Sequence, residues 1–168
     1  MVNIRTVNKE QIATIRELAQ EFWPVAFDAI LSAEQIEYMM EMMYSSASLE
    51  KQMSQGHQFA IASRKNKQVG YLSYETNCDN SNKTKIHKLY ISPNHQRLGV
   101  GEAMVNFVAL QALKANNSTL FLNVNKHNKK AISFYNKLHF QLVEEEKIDI
   151  GDGFIMDDYV FELTLNQL

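Results

Sequence analysis

The sequence predicts an α/β domain in which helices cover the faces of a mixed β-sheet. Short runs of alternating apolar and polar residues, typical of strands, are interspersed with stretches in which apolar residues recur every three or four positions, typical of helices. The 168 residues suit one domain, so we expect 1–168 to fold as a single domain. Hydrophobic residues make up 45% and charged residues 21%, a composition that disfavours disordered, collagenous and coiled-coil proteins.

The first third of the chain is predicted to contain one strand and two helices. Residues 2–7 alternate apolar and polar positions, as a strand does. Asn8 with Gln11 resembles a capping box at the start of the first helix. We expect Pro24 to limit that helix, because the ring removes an N–H group and disfavours helix at the preceding residue. Ser32 repeats the capping signal and starts the second helix.

The remainder is predicted to add six strands and two helices. Strands are expected at 57–63, 69–75, 85–91 and 120–125, and as two long strands within 140–165 around the turn Gly151-Asp152-Gly153. Helical spacing of apolar residues marks 99–115 and 131–138. The predicted order is therefore β α α β β β α β α β β, and this mixed order implies a mixed sheet with helices on its faces.

Charge and cysteine content exclude several classes of protein. The chain has 17 Lys and Arg against 19 Asp and Glu, so a nucleic-acid partner is not expected. No apolar run approaches the ~20 residues of a transmembrane helix, and the N-terminus lacks the pattern of a signal peptide, so we expect no membrane partner and a cytoplasmic setting. Cys78 stands alone, which excludes a disulfide framework and a cysteine-based metal site. The 5 His show no ligand spacing with carboxylates, so no metal is expected.

A glycine-containing turn joins the strand at 85–91 to the helix at 99–115. It consists of Gln96, Arg97, Leu98, Gly99, Val100 and Gly101. Glycine lets the backbone turn tightly and lets a ligand approach it, and the free N–H groups at the start of a helix attract phosphate. On its own the pattern is also typical of a plain strand–helix turn. It is neither a P-loop nor a dinucleotide-binding fingerprint, since no Gly-Lys-Ser/Thr follows and position 104 is Met.

A second motif lies one strand and one helix downstream. Asn128, Ala131, Phe134 and Tyr135 match the pattern Asn-x-x-Ala-x-x-Phe-Tyr, and Gln96, Gly99 and Gly101 match Arg/Gln-x-x-Gly-x-Gly/Ala. In this order and spacing the two motifs resemble those of the GNAT superfamily of acetyl-CoA-dependent N-acetyltransferases. The motifs cover 85–140, and the order of elements extends the resemblance to nearly the whole chain. The resemblance implies the GNAT fold, with two splayed central strands, and acetyl-CoA as co-substrate.

The resemblance also implies how acetyl-CoA is held. The pantetheine arm would lie between the splayed strands and pair with the main chain of Leu89, Tyr90 and Ile91, with the N–H group of Leu89 donating to the thioester carbonyl. The N–H groups of Arg97, Leu98, Gly99, Val100, Gly101 and Glu102 would cradle the pyrophosphate. Asn128 would contact the pantetheine, with a helix N-cap as the alternative or additional role. The Arg97 guanidinium would either bind a CoA phosphate or remain in solvent.

Tyr135 is the candidate acid and His87 the candidate base. The resemblance implies that Tyr135 protonates the departing CoA thiolate, and a phenol with a pKa near ~10 is protonated at neutral pH. The alternative for Tyr135 is a core aromatic. Alternation places Lys85, His87, Leu89 and Ile91 on one face of their strand, and imidazole titrates near neutrality. The alternatives to His87 as the base are a structural histidine and a water chain. The other four histidines, His57, His95, His127 and His139, lie at predicted turns or element ends and lack this placement.

Two residues depart from the family pattern. Arg97 stands where the family often has Gly, so Arg97 is strained if the turn needs a positive φ there. His139 stands where the family often has a Gly that caps the helix in the left-handed region, and His is tolerated there at a cost of ~1 kcal/mol. Neither departure removes a catalytic group.

The C-terminal hairpin predicts a cationic acceptor. Between Gln141 and Glu162 there are eight acidic residues and one basic residue, a local charge of −7. Such a surface attracts a polyamine or a lysine side chain, and 148–163 is similar to the tail of bacterial polyamine-acetylating GNAT proteins. The alternative is a solvated outer face. Asp157 and Asp158 are adjacent in a strand, so only one of them can line a given cleft.

These observations predict an N-acetyltransferase that moves the acetyl group of acetyl-CoA to a primary amine by direct attack in a ternary complex. One alternative is a non-catalytic acyl-CoA-binding sensor, against which Tyr135 argues. A second is an acetyltransferase of protein lysines or N-termini. A third is a structural partner that uses the Met-rich stretch 37–44, which leaves the glycine turn unexplained. Dimerisation is common in the family, so a homodimer is an open alternative.

Overall fold

Residues 1–165 are described by the computed structural model, in which the chain divides into two units. The first unit comprises 1–75 and 86–108, and the second comprises 76–85 and the described residues from 109 onward. Each unit combines strands with helices, as an α/β fold requires. That 1–168 acts as one domain stays a prediction.

Strands and helices of the first unit follow the predicted periodicities. It contains β1 (Val2–Val7), α1 (Ile12–Phe27), α2 (Ala33–Tyr44), α3 (Ser46–Ser54), β2 (Gln58–Arg64), β3 (Lys67–Glu75), most of β4 (Lys83–Ile91) and the start of α4 (Val100–Lys114). β1 pairs antiparallel with β2, and β2 pairs antiparallel with β3. The capping box of Asn8 and Gln11 and the N-cap at Ser32 are confirmed.

Helix α1 does not stop before Pro24, and the prediction that it does was wrong. Pro24 lies inside the helix, and its carbonyl accepts the N–H group of Asp28 at 2.9 Å. The side chains of Trp23 and Phe27 are buried on the other side of this last turn, with ring centroids 4.4 Å apart. Because Pro24 is exposed, the carbonyl that loses its helical partner can be hydrated, and the packing of the two aromatic rings outweighs the missing hydrogen bond.

A third helix, α3, was missed between the two predicted helices and β2. Ser45 adopts an extended conformation, ends α2 and begins α3, and its hydroxyl accepts the N–H group of Ser48 at 3.2 Å. A single residue therefore separates two helices that the apolar spacing merges into one stretch. The observed order is β α α α β β β α β α β β.

The core of the first unit is built largely from aromatic side chains. Tyr44 and Tyr71 are buried, and their hydroxyl groups form a hydrogen bond of 2.7 Å with each other. Trp23 packs on Tyr44 and on Tyr90, with ring centroids 5.9 and 5.7 Å apart. Aromatic packing of this kind fixes the direction of β4 against the helices that cover it.

Gly70 of β3 lies where the strand closely approaches β4 and α4. A Cβ atom added there would lie 3.0 Å from both the Met104 sulfur and the Tyr90 carbonyl oxygen. Those distances are shorter than ordinary van der Waals contacts, so the missing side chain is what lets β3, β4 and α4 pack.

Lys88 is the buried charged residue of β4. It is 7% exposed, its ammonium group donates to Gln52 Oε1 at 2.6 Å, and it lies 5.4 and 5.7 Å from the ring centroids of Tyr44 and Phe59. Burial lowers the pKa of Lys88 to about 8. The two rings and the amide stabilise a charge that is otherwise costly to remove from water.

The second unit contains the C-terminal strands. Its elements are β5 (Thr119–Asn125), α5 (Lys129–Lys137), β6 (Gln141–Gly151) and β7 (Phe154–Thr164), together with the end of α4 and the first residues of β4. β7 pairs antiparallel with both β5 and β6, and the predicted turn lies between β6 and β7. Asn116 ends α4 with φ +58°, the left-handed conformation expected of it.

Within the first unit β1, β2 and β3 are neighbours in that order, and within the second unit the order is β5, β7, β6. This architecture confirms the predicted α/β fold class. Within residues 1–165, every helix is too short or too polar to cross a membrane.

Candidate functional site

The predicted phosphate turn connects β4 to α4 in the first unit. Arg97 has φ +60° and Gly99 has φ +77°, so two residues of the turn adopt the left-handed region. A Cβ at Gly99 would meet nothing within 4 Å, which means that backbone conformation, not space, favours glycine there. The conformation at Arg97 is the strained one that the departure from the family pattern implied, and strain of this kind is typical of ligand-binding turns.

Helix α4 begins at Val100, immediately after this turn. The N–H groups of Val100, Gly101 and Glu102 belong to its first turn and have no acceptor within the helix. Together with the N–H groups of Leu98 and Gly99 they offer an anion-binding backbone, which suits a pyrophosphate.

The burial of β4 alternates, as predicted. Thr84, Ile86 and Lys88 are buried, whereas His87 and Leu89 are partly exposed. His87 and Leu89 therefore share one side of the strand, two residues apart. Tyr90 contributes its ring to the aromatic core, so any role of Tyr90 towards a cofactor belongs to its backbone.

His87 forms a three-residue cluster with Glu75 and His57, all in the first unit. His87 Nε2 lies 2.9 Å from Glu75 Oε2, and His57 Nε2 lies 3.5 Å from the same oxygen. The two imidazole rings are stacked, with centroids 3.9 Å apart and planes 11° from parallel. The three side chains are 17 to 25% exposed, so the carboxylate is only partly screened by water.

His57 lies just before β2, at an element end as predicted, and strand pairing brings it to the candidate base. Gln58 pairs with Tyr74 in the antiparallel register of β2 and β3, which brings His57 and Glu75 together where the two strands meet α3 and the loop after β3. The predicted hairpin of 57–63 and 69–75 already contained this signal, because pairing the two runs end to end sets 57 opposite 75. Sequence spacing alone conceals it, since the two residues are 18 positions apart.

The same three side chains are the place to examine the expectation that the protein binds no metal ion. Their ligand atoms all lie within 4.8 Å of one another. A metal ion bound by two imidazoles lies near the plane of each ring, about 2 Å from the nitrogen. Two nearly parallel rings 3.9 Å apart leave no point that satisfies both requirements. The arrangement fits the sharing of protons between His57, Glu75 and His87, not a metal ion.

Asn128 and Tyr135 lie on α5 in the second unit. Asn128 is the N-cap of α5, and its side-chain oxygen accepts the N–H group of Ala131 at 3.2 Å. Tyr135 is 7% exposed and packs edge-on against Phe134 and Phe140, with centroids 5.0 and 5.3 Å away. Burial raises the pKa of the Tyr135 phenol well above its ordinary value, so the group is protonated at neutral pH.

The two units thus divide the predicted residues between them. The β4 and α4 residues, from His87 through Leu89 and Ile91 to Gln96 and Glu102, lie in the first unit, and Asn128 and Tyr135 lie in the second. His139 follows α5 with φ +66°, in the left-handed conformation that its position implied.

Part of the hairpin's negative charge is paired within the second unit. Lys126 lies 2.8 Å from Glu145 Oε2 and 3.0 Å from Asp157 Oδ1, and hydrogen bonding to Lys126 lowers the pKa of Asp157. Lys83 forms an ion pair with Glu162. The predicted net charge of the hairpin is therefore concentrated in fewer free carboxylates than the sequence indicates.

Asp158, in contrast, is buried. It is 1% exposed, and burial is the main cause that raises its pKa to about 6. The different surroundings of Asp157 and Asp158 agree with the expectation that adjacent strand residues face opposite sides.

The chain matches the sequence model of the Acetyltransferase (GNAT) family over residues 12–140. Among curated proteins it is similar to a spermidine N(1)-acetyltransferase of Thermoplasma acidophilum, with 24% identity over 161 residues that cover 93% of this chain and 96% of that protein.

Solved structures share the fold. The PaiA N-acetyltransferase of Thermoplasma acidophilum in complex with coenzyme A has a TM-score of 0.80 and 23% identity, covering 98% of this chain and 99% of that one. A GCN5-related N-acetyltransferase from Rhodopseudomonas palustris has a TM-score of 0.81 and 17% identity, covering 97% and 95%.

Proposed function

The chain belongs to the acetyltransferase (GNAT) family, and on that premise we propose that it transfers the acetyl group of acetyl-CoA to a primary amine of a polyamine-like acceptor. The observation that carries the acceptor class is the similarity, along 93% of the chain, to a spermidine N(1)-acetyltransferase. The acidic C-terminal hairpin supports it, because a cationic acceptor is attracted by that charge.

In this proposal the backbone of the first unit holds acetyl-CoA. The N–H groups from Arg97 to Glu102 bind the pyrophosphate, and the main chain of Leu89, Tyr90 and Ile91 pairs with the pantetheine arm. The Leu89 N–H group donates to the thioester carbonyl, on which negative charge develops during transfer. A donor in that position contributes about 3 kcal/mol to stabilising the transition state. Asn128 adds a pantetheine contact to its observed role as the N-cap of α5.

His87 acts as the base in the proposed mechanism. An alkylammonium ion cannot attack a thioester until it loses a proton, so a proton acceptor is needed close to the thioester. In this proposal His87 is the tautomer that carries its proton on Nε2, so Nε2–H donates a hydrogen bond to the Glu75 carboxylate 2.9 Å away and Nδ1 is the atom that takes up a proton. His87 then takes the ammonium proton, and the Glu75 carboxylate stabilises the resulting imidazolium ion.

Tyr135 acts as the acid. The free amine attacks the carbonyl carbon, a C–N bond forms and the C–S bond breaks. Tyr135 gives its phenolic proton to the CoA thiolate, and the proton released by the newly acylated nitrogen restores the phenol through solvent. The products are an N-acetyl amine and CoA thiol, with one proton left on His87, so the transfer is balanced. Burial raises the pKa of Tyr135, so the phenol carries its proton at neutral pH.

Two measurements test the proposed function. Isothermal titration should show binding of acetyl-CoA, and no binding up to millimolar concentration would exclude the proposal. Release of CoA thiol should then be followed with spermidine, putrescine, an aminoglycoside, free amino acids and a lysine peptide. We expect turnover with the polyamines. Turnover with the lysine peptide alone would assign the protein-acetylating alternative, and binding of acetyl-CoA without turnover of any amine would assign a sensor.

A further inference from the structure

Two carboxylates of the second unit share one donor. Asn123 Nδ2 on β5 donates to Glu146 Oε2 on β6 at 2.8 Å and lies 3.4 Å from Asp158 Oδ2 on β7. Glu146 and Asp158 are directly opposite each other in the register of β6 and β7. Like charges opposite each other destabilise a strand pair, so this arrangement is unfavourable for the protein alone.

One oxygen of Asp158 also lacks a hydrogen-bond donor in the described part of the chain. Among residues 1–165, Asp158 Oδ1 has no hydrogen-bond partner, although the residue is 1% exposed. A buried carboxylate oxygen without a donor is costly and rare in native proteins. It therefore points to a donor that comes from a bound molecule.

Charged and polar side chains from four strands act on Asp158. Burial, Glu146 and Asp157 raise its pKa, whereas Asn123 and Lys85 lower it. Asp157 forms an ion pair with Lys126, and the Lys85 ammonium group lies over the Phe121 ring, 5.6 Å from its centroid. With a pKa of about 6, Asp158 is mostly ionised at pH 7.5, and Glu146 lies beside it as a second carboxylate.

An ammonium group would supply the missing hydrogen-bond donor and would balance the charge of the two opposed carboxylates. It carries one positive charge and up to three N–H donors, so it can donate to Asp158 Oδ1 and to Glu146 together. We propose that Asp158, Glu146 and Asn123 form a binding site for an ammonium group of the acceptor, a nitrogen other than the one that is acetylated. The proposal rests on the proposed function, because the polyamine is its source of ammonium groups.

The nitrogen bound at this site differs from the nitrogen that is acetylated, because the two must be in different protonation states. Alkylammonium groups lose their proton near pH ~10, far above the range in which a carboxylate takes one up. A carboxylate pair therefore keeps the bound nitrogen charged, and a charged nitrogen cannot attack a thioester. The site anchors the acceptor by one end and leaves another amine free to react. It follows that diamines and polyamines bind better than monoamines of similar length.

The test compares two acceptors in three variants at saturating acetyl-CoA. Asp158→Asn and Glu146→Gln preserve shape and remove one charge each. Glu144→Gln is the matched control, since Glu144 is an exposed acid on the same strand. We expect Asp158→Asn and Glu146→Gln to raise the KM for spermidine 10- to 100-fold and to reduce the preference for spermidine over butylamine by the same factor. Glu144→Gln should change neither by more than twofold.

A second readout separates this site from a structural one. Removing one of two opposed carboxylates should leave the melting temperature of Asp158→Asn equal to or above that of the wild type, while its KM for spermidine rises. Equal KM changes in all three variants would overturn the site in favour of general charge attraction. If Asp158→Asn does not fold, Glu146→Gln alone decides.

The two proposals fail in different ways. If the wild type acetylates no amine, the proposed function fails, and the site is then tested by calorimetric titration of the wild type and Asp158→Asn with spermidine alone. Weaker binding to the variant would support the site even then. Equal binding, or none to either protein, would overturn it.

Discussion

Replacing Glu75 by Gln tests whether the carboxylate, not the imidazole alone, makes His87 an effective base. The substitution preserves the shape of the side chain and removes its charge. His87 Nε2 lies 2.9 Å from Glu75 Oε2, and both side chains are partly buried, at 18 and 25% exposed. A hydrogen bond to a charged group contributes about 1.5–3 kcal/mol and a neutral one about 0.5–1.5 kcal/mol.

The difference between the two kinds of bond sets the size of the effect. A loss of about 1–2 kcal/mol in stabilising the protonated base corresponds to a decrease in kcat of roughly 5- to 30-fold. We expect the KM for acetyl-CoA to change less than twofold, because the pyrophosphate turn is untouched. Glu17→Gln, an exposed acid of α1 in the same unit, is the control and should retain wild-type kcat.

The assay is thiol release with the best amine of the panel, measured for Glu75→Gln, His87→Gln and the double variant. If Glu75 acts through His87, the loss in the double variant is close to that of His87→Gln and smaller than the product of the two single losses. A Glu75→Gln enzyme with kcat within twofold of the wild type, beside a slow His87→Gln enzyme, would refute the reasoning. So would strictly multiplicative losses.

The structure also predicts how three further substitutions change activity or stability. Tyr135→Phe should lower kcat at least 10-fold with little change in the calorimetric affinity for acetyl-CoA, because it removes the donated proton and keeps the packing; unchanged turnover would remove Tyr135 from the acid role. The pKa of Lys88 is lowered to about 8 in the folded protein. Between pH 8 and the ordinary lysine pKa of ~10.4, the unfolded chain therefore binds more protons than the folded one. The free energy of unfolding of the wild type should rise as the pH increases through this range. Urea unfolding at pH 7.5 and 9.5 should show a smaller rise for Lys88→Met, and an equal rise would contradict the assignment. Gly70→Ala should lower the free energy of unfolding by about 1–3 kcal/mol, because the added methyl group would lie 3.0 Å from Met104 and from the Tyr90 carbonyl; a neutral urea midpoint would show that the strands adjust.

Local patterns predicted the strands and most helices well because each signal lies within a few residues. The caps at Asn8 and Ser32 and the left-handed positions at Asn116 and His139 depend on neighbours in sequence. Pro24 shows the limit of that reasoning. Its helix-ending tendency is a local property, and the burial of Trp23 and Phe27 that overcomes it is a tertiary one.

The candidate site shows the same division. The motif residues of the turn and of α5 could be predicted as site candidates because each motif lies within about eight consecutive residues. The partners of His87 could be identified only through the pairing of β2 with β3, which brings His57 and Glu75 together. The free oxygen of Asp158 depends on three strands at once, and no one-dimensional pattern distinguishes it from the exposed acids beside it.

The hydrogen-bonded phenols of Tyr44 and Tyr71 make the folded state visible in the ultraviolet spectrum. Burial raises the pKa of both groups well above the ordinary value, and burial raises that of Tyr135 as well. Near pH 11 the tyrosines of an unfolded chain convert to tyrosinate, while these three retain their protons for as long as the chain stays folded. Slow growth of tyrosinate absorbance at constant alkaline pH would therefore time the opening of the core, with no added dye or label.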